Sequence, residues 1–180
     1  MVSSQKQGAK CCGCCCDYRR AVIVVAIISI CISIVYLISL LAAAATPGVQ
    51  VNVDDDALMT TVEDNIRIQA ALYGVSLFCS ICALVGANKF NIPLVAINTL
   101  WYVGSFIGGA VLLVNTANTV EDATGENLSV IPSIIISAVI TMLFMYPHIG
   151  FMYEVKVGIM SAETYPREEF SCCCVTSRRL

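Results

Sequence analysis

Charge is scarce in this chain. Lys, Arg, Asp and Glu make up 13% of its 180 residues, about half the roughly 25% typical of soluble domains, so an ordinary water-facing surface is not available to it. Histidine occurs once, which excludes the paired histidines of a zinc-protease helix and any histidine-rich metal centre. A net charge of −3 with a pI near 5.0 argues against a nucleic-acid partner. There is no glycine-rich phosphate loop and no nucleophile–base arrangement, and too few ionisable groups fall in apolar sequence to build an intramembrane hydrolase. The expectation is a protein that is not an enzyme and that needs no cofactor or metal.

What the chain has instead is apolar length. Hydrophobic residues reach 58% with a mean hydropathy of +0.81, and they gather into four blocks at 21–45, 68–87, 92–114 and 130–153. Each matches the about 20 apolar residues that a membrane-crossing helix requires. Pro47-Gly48 closes the first block, because proline lacks the amide hydrogen that would extend a helix and glycine tolerates the turn. The link Asn88-Lys89-Phe90-Asn91 is so short that spans two and three must form a hairpin. Pro132 falls in the first turn of span four, where a missing donor costs nothing. The first block is longer than the about 7–15 residues of a cleavable signal, so it reads as a signal anchor. The predicted fold is all-α: an integral membrane four-helix bundle over 21–153, between a cysteine-rich amino terminus (1–20) and a cysteine-containing tail (154–180).

Basic residues predict the orientation, since loops kept in the cytosol hold the Lys/Arg excess. Lys6, Lys10, Arg19 and Arg20 precede span one, Lys89 sits in the hairpin, and Lys156, Arg167, Arg178 and Arg179 follow span four. The other two loops are acidic, with Asp54, Asp55, Asp56, Glu63 and Asp64 in one and Glu121, Asp122 and Glu126 in the other. Both termini are therefore expected in the cytosol. Consecutive carboxylates at 54–56 lack the alternating ligands and glycine of a calcium loop, and read as a solvated loop.

Neither acidic loop contains cysteine, which separates the chain from four-span proteins such as tetraspanins and claudins that staple those loops with disulfides. Eight of the eleven cysteines flank the spans instead: Cys11, Cys12, Cys14, Cys15 and Cys16 before the first, and Cys172, Cys173 and Cys174 after the last. Thiols beside membrane spans on the reducing side are candidates for S-acylation. Zinc competes for them, because Cys11/Cys14 and Cys12/Cys15 have the two-residue gap of a metal knuckle; runs of adjacent cysteines, whose side chains diverge, favour the acyl reading. Cys31, Cys79 and Cys82 lie inside spans and are expected to pack as small apolar residues.

The segment Lys10-Cys11-Cys12-Gly13-Cys14-Cys15, a few residues ahead of the first of four spans, resembles the amino terminus of the lysosome-associated transmembrane protein family. That resemblance implies an endolysosomal adaptor that sorts other membrane proteins. The family's tail carries Pro-Tyr motifs that recruit ubiquitin ligases, whereas this tail has Tyr165-Pro166 in reverse order, so ligase recruitment is not carried over. The topology alone is also shared with MARVEL-type four-span proteins.

Polar residues at membrane depth are expensive and mark candidate sites. Asn98 lies roughly 9 Å inward from Ile92 and His148 roughly 7–8 Å inward from Tyr153 at about 1.5 Å per residue, so the two should share a depth and meet. They read either as an interhelical packing contact or as a proton- or ligand-sensing pair. Glu154 reads as a solvated headgroup-level residue beside Lys156, and Pro147 as the site of a local bend. Gly104, Ser105, Gly108 and Gly109 have the spacing of a helix-packing face, used inside the bundle or as a homo-oligomer seam. Asn127-Leu128-Ser129 is a glycosylation sequon, close enough to span four that Asn127 should be reached poorly. Tyr165 lacks the bulky residue three positions on that a sorting signal needs, since Glu168 stands there.

These features predict a multi-pass protein of the endolysosomal or plasma membrane, a lipidated scaffold or sorting adaptor whose partners are the bilayer and other membrane proteins. The alternative is a small transporter or channel subunit, which would need polar groups facing a cavity at several depths. A solvated cavity reaching the midplane would reverse that order and put the transporter or channel first.

Overall fold

The computed structural model describes residues 10–11, 16–45, 56–124 and 129–163. Four helices account for nearly all of them: α1 (Tyr18–Ala45), α2 (Asp56–Lys89), α3 (Ile92–Thr124) and α4 (Ile131–Val157). A two-residue antiparallel ladder precedes them, pairing β1 (Lys10–Cys11) with β2 (Cys16–Asp17) in the register Lys10 to Asp17 and Cys11 to Cys16. Each helix packs on its neighbour in the chain and α1 closes the ring on α4, which makes an up-down bundle. All four contain a stretch long and apolar enough to cross a bilayer, at Tyr18–Ala42, Asp64–Lys89, Ile92–Thr119 and Ile131–Val157. The chain is a multi-pass membrane protein.

The helices outrun the apolar blocks. Helix α2 begins at Asp56 and α3 continues to Thr124, because a helix satisfies its own backbone whether or not its side chains are apolar. The extensions meet where Asn65 Nδ2 lies 3.5 Å from Thr116 Oγ1.

Local chemistry sets the helix ends. Asp17 Oδ1 accepts the Arg20 amide hydrogen at 2.7 Å, an N-cap that satisfies one of the orphan donors of α1. At the hairpin, Phe90 adopts φ 54, the left-handed conformation usually given to glycine. Asn91 donates its amide to the Gly86 carbonyl at 2.8 Å and accepts the Leu94 amide on Oδ1 at 3.3 Å, ending α2 and capping α3 within one residue. Pro132 lies in the first turn of α4, and Gly158 closes that helix at φ 76, with the Ile159 and Met160 amides both on the Glu154 carbonyl at 3.0 and 3.2 Å. Helix α4 runs on through Pro147.

Packing is uneven along the bundle. One end, the terminal end, carries the start of α1, the α2–α3 hairpin and the finish of α4; the other, the loop end, carries the two longer connections. Tyr18, Val22, Ala87, Val95, Phe151 and Met160 form the core at the terminal end. Among the described residues, burial on α1 stops at Ser33, on α3 at Tyr102, and on α4 begins only at Pro147. The loop-end half is more loosely packed, with large apolar side chains such as Leu41, Ile107, Ile135 and Ile136 outward, as a bilayer requires.

Candidate functional site

Polar side chains tie the helices together at the terminal end. Arg19 of α1 donates from Nε to the Ala87 carbonyl at 3.0 Å, directs Nη2 to Asn88 Oδ1 at 3.4 Å, and lays its guanidinium 4.8 Å from the centre of the Phe90 ring. Phe90 faces Phe151 of α4 at 6.4 Å, so one cation reaches three helices through hydrogen bonds and a ring face. Tyr18 and Tyr146 share a hydroxyl contact of 3.0 Å. Glu154 is only 2% exposed, which corrects the expectation of a solvated residue: α4 turns this carboxylate inward, among the side chains that close the bundle.

Six residues inward along α4 from Glu154, His148 meets Asn98 of α3; both are fully buried, with Nδ2 and Nε2 3.1 Å apart. His148 Nδ1 lies 2.8 Å from the Phe144 carbonyl. A carbonyl only accepts, so Nδ1 carries the proton and Nε2 presents its lone pair to the Asn98 amide hydrogens. Each ring nitrogen is thus used by an uncharged imidazole. The ring also meets Tyr102 edge to face at 5.4 Å, and the Tyr102 hydroxyl is 3.0 Å from Ser29 Oγ on α1. Asn98, His148, Tyr102 and Ser29 therefore form one buried polar layer across α1, α3 and α4.

On the loop side of that layer lies a cavity of about 480 Å³. Its floor is Ser29, Tyr102 and Phe144; its walls include Ser33, Ile32, Leu72, Tyr73, Ser76, Ser105 and Leu112; and Gln69 and Thr116 stand at the far end. Tyr73 is stacked on Tyr36 with centroids 4.6 Å apart and planes 4° from parallel. Ser29 is about 16 Å along α1 from Tyr18 at 1.5 Å per residue, mid-depth for a hydrocarbon layer of about 30 Å. The cavity thus reaches the middle of the bundle from one side. A second cavity of about 480 Å³ separates the loop-end halves of α3 and α4, lined in part by Phe106, Ser133, Ser137 and Thr141.

No protein-family model matches this chain, and no significantly similar curated protein or solved structure is found. Its chemistry must be read from its own residues.

The glycine face is open within the chain. A Cβ placed on Gly104, Gly108 or Gly109 would meet nothing within 4 Å among the described residues, and Ser105 spends its hydroxyl on the Tyr102 carbonyl at 3.1 Å. Close approach occurs instead at Gly86, where a Cβ would lie 2.9 Å from Leu94 Cβ, and at Gly150, where it would strike the Tyr18 ring. Cys79 is buried, Cys82 half-buried and Cys31 exposed. Cys11 and Cys16 enter only through the backbone of the ladder; Cys12, Cys14, Cys15, Cys172, Cys173, Cys174 and Asn127 lie outside the described residues. Sequence reasoning missed Asp17, Arg19 and Phe90 as structural groups, although an Asp immediately ahead of a long apolar run is a capping signal.

Proposed function

We propose that this protein is a non-enzymatic, S-acylated organiser of other membrane proteins, with both termini in the cytosol, acting as a scaffold or sorting adaptor rather than as a conduit. One observation carries the choice. The polar layer of Asn98, His148, Tyr102 and Ser29 joins α1, α3 and α4, and the Arg19, Phe90 and Phe151 contacts close the end beyond it. A conduit needs polar groups facing a continuous opening; here Asn98, His148, Tyr102 and Arg19 are engaged in joining helices. The outward apolar side chains along the loop-end half supply surface for lipid and for partner helices. The amino-terminal cysteine motif supports an endolysosomal address by resemblance, and the flanking thiols would anchor both tails to the same leaflet.

The cavity favours a second reading, because it brings hydroxyls of α1, α2 and α3 to mid-depth. As it stops at Tyr102 and Phe144, it supports binding from one side more than passage.

Reconstitution separates the two. Liposomes containing the full chain should show ion and small-solute flux no faster than protein-free liposomes, while quantitative proximity labelling in cells should recover a defined set of membrane proteins that is lost when the eight flanking cysteines become serine. Saturable flux, together with a neighbour set unchanged by those substitutions, would replace the organiser with a transporter or channel.

A further inference from the structure

We propose that the cavity between α1, α2 and α3 binds one neutral membrane lipid whose head group is a hydroxyl. This site stands apart from the scaffold reading and does not depend on it. Its volume of about 480 Å³ is within the roughly 300–1,000 Å³ of small-molecule sites. It is also long: from Tyr102 at the floor to Thr116 at the far end, α3 advances about 21 Å at 1.5 Å per residue. Apolar walls at Ile32, Leu72, Leu112 and Leu113 with polar groups at both ends match an amphiphile laid along the helices.

The head group follows from charge and from hydrogen-bond direction. Among the described residues no Lys, Arg, Asp, Glu or His lines the cavity, so an ionic head at its floor, the mid-depth end, would have no counter-charge, at a cost that buried ions avoid by pairing. Several of the lining hydroxyls have already spent their protons. Ser105 donates to the Tyr102 carbonyl at 3.1 Å and Thr116 to the Leu112 carbonyl at 2.8 Å, and the 3.0 Å contact of Ser29 with Tyr102 uses one more. These three retain lone pairs, while Ser33, Ser76, Tyr73 and Gln69 bring hydroxyl and amide hydrogens to the same walls, so the lining both donates and accepts. A lipid alcohol does both, whereas a phosphate diester or a simple ester only accepts. Two lipid classes share that chemistry, rigid sterols and flexible diacylglycerols.

The test is photolabelling of the full-length protein in lipid nanodiscs, with diazirine-bearing sterol, diazirine-bearing diacylglycerol and diazirine-bearing phosphatidylserine, followed by peptide mapping. The expected result is labelling of the Leu72 and Leu112–Leu113 peptides by one or both neutral probes, competed by the same unlabelled lipid; the probe that labels identifies the source. Gly109→Phe fills the space from a position where a Cβ meets nothing within 4 Å, and should lower cavity labelling about tenfold, one decade in affinity, while labelling at the outward Ile135 and Ile136 of α4 is unchanged. Ser76→Leu, which enters from α2, should do the same, and circular dichroism confirms that both variants are folded. Labelling spread evenly over inward and outward residues, cavity labelling unaltered in both folded variants, or equal cavity labelling by phosphatidylserine would each overturn the proposal.

Discussion

Asn98 Nδ2 and His148 Nε2 stand 3.1 Å apart in the interior of the bundle, on helices that are joined in the chain only through the α3–α4 connection. Apolar packing alone gives helices in lipid little rotational preference, because lipid tails are as apolar as leucine. A directional bond between two fully buried groups therefore fixes how α3 and α4 face each other. A double-mutant cycle of Asn98→Ala and His148→Ala, followed by unfolding in micelles, should give a coupling energy of about 0.6 kcal/mol and at most about 1.7 kcal/mol, the average and the maximum for membrane hydrogen bonds. Additive losses would mean that the bond contributes nothing beyond its two side chains.

Gly150 and Gly104 predict opposite outcomes for one substitution. Gly150→Ala places a methyl group on the Tyr18 ring, and the ring is held by the hydroxyl contact with Tyr146 at 3.0 Å, so overpacking should cost about 1–3 kcal/mol. Gly104→Ala and Gly108→Ala meet open space and should be neutral or more stable by about 0.5–1 kcal/mol, through helix propensity alone. Thermal unfolding of the three variants side by side checks the order. If Gly108→Ala instead weakens self-association, that face serves a second copy.

Phe90 carries both a left-handed backbone and a ring that two partners use. Phe90→Ala loses the Arg19 and Phe151 contacts and keeps a Cβ at φ 54. Phe90→Gly loses the same contacts but sheds the left-handed penalty of about 1–2 kcal/mol. Both variants should be less stable than the parent, with the glycine variant about 1 kcal/mol above the alanine variant. Equal midpoints in chemical denaturation would show that the conformation at residue 90 carries no strain.

These residues also mark where the sequence could be read and where it could not. Four apolar blocks and a four-residue link specify the bundle and its hairpin, because length and hydropathy decide what crosses a bilayer. The depth of Asn98 and His148 follows from the helical rise. The rotation of each helix does not, since helices apolar on every side carry no stripe to say which face is inward. That is why the spacing of Gly104 and Gly108 does not say what that face meets, while Gly86 and Gly150 are the glycines that neighbours within the chain approach closely. The inward turn of Glu154 and the contacts of Arg19 escaped the sequence for a related reason: a charged residue near a span end is as compatible with a headgroup layer as with a closed helix junction, and only the meeting of α1, α4 and the hairpin decides.

Asp17 is a cap whose loss can be isolated. Its Oδ1 takes the Arg20 amide at 2.7 Å, and the residue is buried beside Tyr18. Asp17→Ala should cost about 1 kcal/mol, and Asp17→Asn or Asp17→Ser should recover most of it, since all three polar residues cap well. Amide hydrogen exchange in the first turn of α1 reports the effect locally. No change in exchange at Arg20 in the alanine variant would count against the cap.

The cysteines divide into two chemical populations. Cys79 is buried, Cys82 is half-buried and Cys31 faces outward from a membrane-crossing stretch, where a thiol behaves as a small apolar group. The amino-terminal five thiols lie two to seven residues ahead of α1, and Cys172–Cys174 fifteen to seventeen after α4; a tail that loops back to the membrane would bring both clusters to an acyl donor in the same leaflet. Fatty-acyl labelling should therefore be hydroxylamine-sensitive, be abolished when all eight flanking positions become serine, and be unchanged when Cys31, Cys79 and Cys82 become alanine. Replacing only the amino-terminal five should leave a carboxyl-terminal remainder, because both clusters face one membrane side if the Lys/Arg distribution sets the orientation. Metal analysis of the purified chain supplies the opposing result. Zinc bound in a fixed ratio, lost with the same serine substitutions and accompanied by no acyl label, would make the clusters a thiolate site that ties the two tails to each other.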